Sequence, residues 1–277
     1  MRQDDRGSWC IVTVKAKKQN NNIVSERFHR LCLEDTILCE NDGDGIGTYN
    51  EKRFHRIFKR FVSDDASCYE VKIGNYVADV LCDGHITEIQ TASFSKLAPK
   101  IKYYLEETDH TVSVVIPLIC HKRIIRADKK TGEIMYTRTS PQKAGLTDAL
   151  DHLYYLREYL YNPRLMIHMV LISAEEYRYS ERMRYRREGA YDRDLRPVDI
   201  KEEIVLRGAK DYLRFLPQDL RGGEFDTAAY SKNTGLRGRR MYSALNVLTA
   251  LGILVRRREG KKYFYTFAPD FDKQNKK

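Results

Sequence analysis

Residues 69–105, YEVKIGNYVADVLCDGHITEIQTASFSKLAPKIKYYL, constrain the fold more than any other stretch of this chain. Three short apolar runs come first, and they alternate with a period of two, as half-buried strands do. Asp83-Gly84 joins the second run to the third, and Asp-Gly between alternating runs is a strong hairpin signal. Within Tyr76–Cys82 the side chains of Val77, Asp79 and Leu81 share a face; within His85–Gln90 those of Ile86, Glu88 and Gln90 do. The segment that follows sets Phe94, Leu97, Ile101, Tyr104 and Leu105 on one stripe of an amphipathic helix.

A hairpin of this kind holds Asp79 and Glu88 side by side. One carboxylate among Val77, Val80 and Leu81 is costly to bury, and a second beside it is worse unless a cation sits between them. Carboxylate oxygens suit hard divalent ions such as Mg2+, with water or a substrate phosphate completing the shell. A third carboxylate points the same way. Asn50–Phe61, NEKRFHRIFKRF, reads as a helix with Phe54, Ile57, Phe58 and Phe61 inward, and Glu51 sits at the top of that inward stripe.

A helix glutamate (Glu51), a second-strand aspartate (Asp79) and Glu88-Ile89-Gln90 on the third strand, followed by a helix, resemble the PD-(D/E)XK nuclease superfamily. The order of these motifs looks most like the archaeal Holliday junction resolvase branch. The resemblance covers residues 46–125 as a core, with an extension to about residue 180. It implies a restriction-endonuclease-like mixed sheet flanked by helices, Mg2+ (or Mn2+) held by Asp79, Glu88 and Glu51, and phosphodiester hydrolysis with Gln90 orienting the attacking water. One position departs from the pattern: the family's usual lysine is Gln90 here, and glutamine carries no charge. Either Lys72 or Lys96 supplies the catalytic cation, or catalysis is weakened or lost.

A length of 277 residues suits two domains. The net charge of +10 and pI near 9.2 point to a polyanionic partner, which the resemblance makes DNA. The six cysteines, Cys10, Cys32, Cys39, Cys68, Cys82 and Cys120, form no Cys-x-x-Cys pair and fit no zinc spacing. Several lie in apolar runs and read as small core residues. MRQDDRGSWC holds no apolar signal core, and the longest apolar run, near Val112–Cys120, is too short to span a membrane. A cytoplasmic location and no membrane partner are expected, with the oligomeric state open and a dimer allowed.

Along the chain, residues 1–45 form an N-terminal extension without visible chemistry. Ser8–Lys15 alternates like a strand, Gln19–Asn22 reads as a turn, and Glu26–Cys39 fits either a helix or a strand. Residues 40–51, ENDGDGIGTYNE, imitate an EF-hand calcium loop, but Glu40 opens it, Gly47 stands where an apolar side chain belongs, and no second loop exists. A Gly/Asp-rich linker is the expected structure. Thr111–Ile119 reads as a buried strand, Lys122–Thr137 as a hairpin around Lys130-Thr131-Gly132, Leu146–Tyr161 as a helix and Leu165–Ser173 as a buried strand. His168 in that strand fits a core histidine better than a ligand. Tyr177–Arg196 interleaves tyrosines with arginines, among them Arg182, Arg184, Arg186 and Arg187, which suit DNA backbone contacts or a solvated charge run equally.

Pro197 is the expected boundary between a nuclease-like domain over 46–196 and a second domain over 197–270, with 271–277 a disordered tail. Val198–Leu216 reads as an amphipathic helix, Asp226–Thr234 as a short helix capped by Asp226, and Arg239–Leu251 as a helix closed by Gly252. Ile253–Arg258 and Lys262–Phe267 follow as two strands. ALNVLTALGILVRRREGKKYFYTF in this setting resembles a winged helix-turn-helix domain. The resemblance implies Arg237, Arg239, Arg240 and Tyr242 at the start of a recognition helix, and Arg256, Arg257, Arg258, Lys261 and Lys262 as cations of the wing. The combined expectation is an α/β protein that cuts DNA with a metal ion and is targeted by a winged helix. A DNA-binding regulator on an inactive nuclease scaffold is the alternative.

Overall fold

A computed structural model describes residues 19–41, 50–91, 94–128, 130–180 and 192–271. The strand expected at Ser8–Lys15, the acidic part of the 40–51 loop, and Arg182, Arg184, Arg186 and Arg187 lie outside these residues.

Helix α1 (Gln19–Asn41) and helix α2 (Asn50–Val62) precede three strands, β1 (Tyr69–Ile73), β2 (Tyr76–Cys82) and β3 (His85–Ile89). Helix α3 (Phe94–Glu107) leads into a long strand β4 (Thr111–Asp128), its partner β5 (Ile134–Thr139), helix α4 (Leu150–Leu156) and strands β6 (Leu165–Ser180) and β7 (Asp192–Leu206). These strands form one mixed sheet in the order β1-β2-β3-β4-β6-β7, with β5 paired to β4, and helices flank it. The C-terminal elements are β8 (Glu224–Asp226), α5 (Thr227–Thr234), α6 (Gly238–Ala250), β9 (Leu254–Glu259) and β10 (Lys262–Phe267), with a separate sheet ordered β8-β10-β9.

The chain divides into two compact units, each built from discontinuous segments: residues 1–91, 117–145 and 170–203 in one, and 92–116, 146–169 and 204–277 in the other. In the first, α1 and α2 pack through Phe28, Phe58 and Phe61, with ring centroids 5.2–6.2 Å apart and Phe61 edge-on to the other two. Asp35 is buried between these helices and is paired with Arg53 at 3.1 Å and with Arg56. Arg53 also reaches Asp194 of β7 at 2.7 Å, so one guanidinium of α2 bridges two carboxylates and ties the helix pair to the sheet. His29 donates from Nδ1 to the Val198 carbonyl at 3.0 Å, which ties α1 to β7.

In the second unit, Arg164 donates to the carbonyls of Leu105, Thr108 and His110, satisfying groups left open at the end of α3. Asp226 caps α5, accepting from the Ala229 amide at 2.8 Å, and Gly235 ends it in the left-handed conformation. Phe225, Tyr230 and Tyr265 stack beneath, and the Tyr230 hydroxyl donates to the Phe215 carbonyl at 2.6 Å.

The structure departs from the sequence expectations at several elements. Gln19–Asn22 opens α1 instead of forming a turn, and of the helix and strand both open for Glu26–Cys39 the helix forms. Thr111–Ile119 and the first arm of the 122–137 hairpin are one strand of 18 residues, β4. The helix expected over 146–161 is a 3-10 turn, Leu146–Ala149, followed by only seven α-helical residues. Pro197 and the first half of the expected Val198–Leu216 helix lie inside β7, which runs to Leu206, and a 3-10 helix spans Ala209–Phe215. β7 is the last strand of the sheet order, where a proline that cannot donate to a ladder is tolerated. Cys68 and Cys82 are not separate core thiols: they form a disulfide across the start of β1 and the end of β2, 14 residues apart in sequence. Closing a loop of that size is worth about 3 kcal/mol on chain-entropy grounds.

Candidate functional site

The β2–β3 register pairs Val80 with Thr87, Leu81 with Ile86 and Cys82 with His85. Continued by one pair, it sets Asp79 opposite Glu88 on one face of the hairpin. Asp79 is one-fifth exposed and its Oδ2 accepts the Ile89 amide at 2.8 Å. Glu88 is only 2 % exposed. On the other side, Tyr69 pairs with Val80 and Val71 with Ala78, so Glu70 of β1 falls opposite Asp79. Three acids, Glu70, Asp79 and Glu88, thus form a row across β1, β2 and β3.

Helix α2 crosses this row. Lys59 Nζ lies 2.9 Å from Glu70, and its hydrogen bond and charge hold that carboxyl below its ordinary value. One turn earlier, His55 Nε2 stands 4.0 Å from Asp79 Oδ2. One further turn earlier is position 51, in the first turn of α2. The Glu51 side chain lies outside the described residues. His55 and Lys59, not among the residues expected from sequence, follow position 51 at the i, i+4 spacing of one helix face, a signal masked by the other basic residues of α2.

Gln90 directly follows β3 and is half-buried. Lys72 is exposed on β1, where it pairs with Val77, and Lys96 is exposed on α3. Among the described residues, no three His, Cys, Asp or Glu side chains converge closely enough to hold a metal ion. Two opposed carboxylates nonetheless match the chemistry of Mg2+, which takes one or two protein carboxylates and completes its octahedron with water and phosphate oxygens.

The second group of expected contact residues lies on α6 and the β9–β10 hairpin. Arg237 is exposed and Tyr242 is 51 % exposed. Arg240 is held by Asp148 at 2.7 Å, just before α4, and Ser243 donates to Asp151 of α4 at 2.9 Å. Arg239 donates to the Tyr155 hydroxyl at 2.9 Å and lies 3.8 Å from Asp151. Two cations expected to open a recognition helix are therefore engaged by α4 and its leading turn. In the hairpin, Arg257 makes a two-pronged pair with Glu224 at 2.9 and 3.1 Å and also meets Glu259 at 2.7 Å. Arg256 contacts Asn246 at 3.5 Å and Arg258 donates to the Gly260 carbonyl at 3.0 Å. Lys261 and Lys262 are exposed.

Comparison with known proteins places this geometry in a family. Residues 52–207 match the family described as domain of unknown function DUF8091. The chain belongs to that family. The DUF8091 match takes in His55, Asp79, Glu88 and Gln90, begins one residue after Glu51, and stops before β8. An uncharacterized protein of Treponema pallidum (strain Nichols) is 30 % identical over 179 residues, which is 62 % of this chain and 70 % of that protein. No solved structure matches. Among the described residues no helix is long and apolar enough to cross a membrane.

Proposed function

We propose that this DUF8091 protein is a metal-dependent DNA endonuclease that hydrolyses phosphodiester bonds. The observation that carries the proposal is the opposition of Asp79 and Glu88 on adjacent strands beneath α2, with His55 against Asp79 and position 51 one turn earlier. Asp79 and Glu88 would hold Mg2+ or Mn2+, and Glu51 would join them directly or through water. The bound ion supplies Lewis acidity toward a phosphate oxygen and acidifies water. Gln90, at the exit of β3, would orient a water by hydrogen bonds to its amide, which is not a base and takes no proton. The order β8-α5-α6-β9-β10 supports reading the C-terminal elements as a winged helix that binds DNA, with Arg256, Arg258, Lys261 and Lys262 meeting phosphates.

The deciding experiment incubates the full chain with plasmid, nicked, single-stranded and branched DNA in Mg2+, Mn2+ or EDTA. Cleavage with either metal, absent in EDTA and absent in the Asp79→Asn, Glu88→Gln double variant, is the expected result. Full cleavage by that double variant refutes the assignment. A second reading, a DNA-binding regulator on an inactive nuclease scaffold, is favoured by the uncharged Gln90 and by the exposure of both Lys72 and Lys96. Binding of Mg2+ and DNA without cleavage on any substrate would select it.

A further inference from the structure

We infer that the second unit presents a stacking surface for an unpaired strand of DNA, and this rests on the nucleic-acid reading above. The surface is a ladder of arginines and tyrosines. On α4 and just after it, the Arg157 guanidinium lies 4.3 Å from the Tyr154 ring, and Tyr154 meets Tyr155 edge-on at 5.8 Å. Arg239 of α6 lies 6.0 Å from the Tyr155 ring. Tyr242 follows on the same helix face, and the Asn246 side chain one turn on donates to its carbonyl at 2.7 Å. Asn246 contacts Arg256, which lies 5.0 Å from the Tyr263 ring, and Arg258 approaches that ring at 5.9 Å.

Two features of this ladder select an unpaired strand over a duplex. The rings most open to solvent, Tyr242 at 51 % and Tyr263 at 38 %, offer π-faces, and base faces are accessible only when bases are not stacked in a helix. Of the three arginines expected to enter a major groove from the start of α6, Arg239 and Arg240 are instead held by Asp148, Asp151 and Tyr155. Arg256 and Arg258 beside Tyr263 place positive charge next to a stacking ring, the pairing that lets a surface follow a backbone while its rings meet bases.

The test measures fluorescence anisotropy of the full chain in EDTA with labelled oligothymidylate and with a duplex of equal length. Tyr242→Ala and Tyr263→Ala should each weaken single-strand binding by about tenfold, and clearly more than they weaken duplex binding. Tyr242→Phe and Tyr263→Phe, which keep the rings, should retain single-strand affinity. Equal loss on both DNA forms, or an unchanged single-strand affinity in the alanine variants, overturns the inference. If Arg256→Glu still weakens binding in that case, the nucleic-acid reading survives alone. If the wild-type chain binds neither DNA form at low salt, both fall.

Discussion

At the scale of single residues, the chemistry turns on a few carboxylates. Asp79→Asn keeps an oxygen that can accept the Ile89 amide, so thermal stability without metal should be equal to or higher than wild type. The Mg2+-induced rise in melting temperature should vanish in Asp79→Asn and in Glu88→Gln; at a hundredfold excess over the dissociation constant that rise corresponds to about 2.7 kcal/mol. DNA affinity in EDTA should not change in either variant. Gln90→Lys should preserve or raise cleavage if Gln90 occupies the lysine position, and a complete loss would show that it does not. Glu176 gives a pH signature away from this site. Its burial raises the carboxyl, but hydrogen bonds from Lys122 and Arg178, both 2.6 Å, outweigh that and hold it below its ordinary 4.5. The folded state thus binds the proton more weakly than the unfolded chain. The contribution is complete above 4.5 and is lost as pH falls through the folded value. Urea midpoints between pH 7 and 3 should fall more steeply for wild type than for Glu176→Gln; parallel curves would exclude this contribution.

At the scale of elements, the legible parts were those whose local chemistry and tertiary role agree. The β2–β3 hairpin follows from period-two alternation and Asp83-Gly84, with Asp83 at φ 47° and Gly84 at φ 75° as such a turn requires. α5 follows from Asp226 at one end and Gly235 at the other. β7 was not legible, because Ile200 and Ile204 stand at the i, i+4 spacing of a helix while Val198, Ile200, Ile204 and Leu206 also share one face of a strand. Only pairing along β6 decides between them. The Asp79–Glu88 opposition was readable for the same reason as its hairpin. His55 was hidden among basic residues of α2, and the grip of Asp148 and Asp151 on α6 depends on a contact that no local pattern announces. The β9–β10 hairpin carries its own prediction. Arg256→Glu with Arg258→Glu should weaken duplex binding on all sequences alike and flatten the salt dependence by about 0.9 per phosphate contact removed. Arg257→Glu should also lower the melting temperature, because it sets a third carboxylate against Glu224 and Glu259. Unchanged binding in the double variant would remove the hairpin from the interface.

At the scale of the whole molecule, the C-terminal elements share one compact unit with two earlier segments of the chain. Their unit includes residues 92–116 and 146–169, and α6 depends on partners there: Asp148 for Arg240, Asp151 for Ser243. A fragment of residues 197–270 is therefore expected not to fold, with circular dichroism showing no cooperative melt, whereas the full chain melts cooperatively. A well-dispersed amide spectrum from the fragment would contradict this. The interleaving also sets a timetable for synthesis. The first unit takes its last segment from residues 170–203, so its core cannot close until that segment has been made, long after residues 50–91. For much of that time the apolar halves of β4 and β6 wait for partners not yet made, and contacts this distant in sequence form slowly. An incomplete chain therefore leaves apolar strand surface uncovered that the folded protein buries.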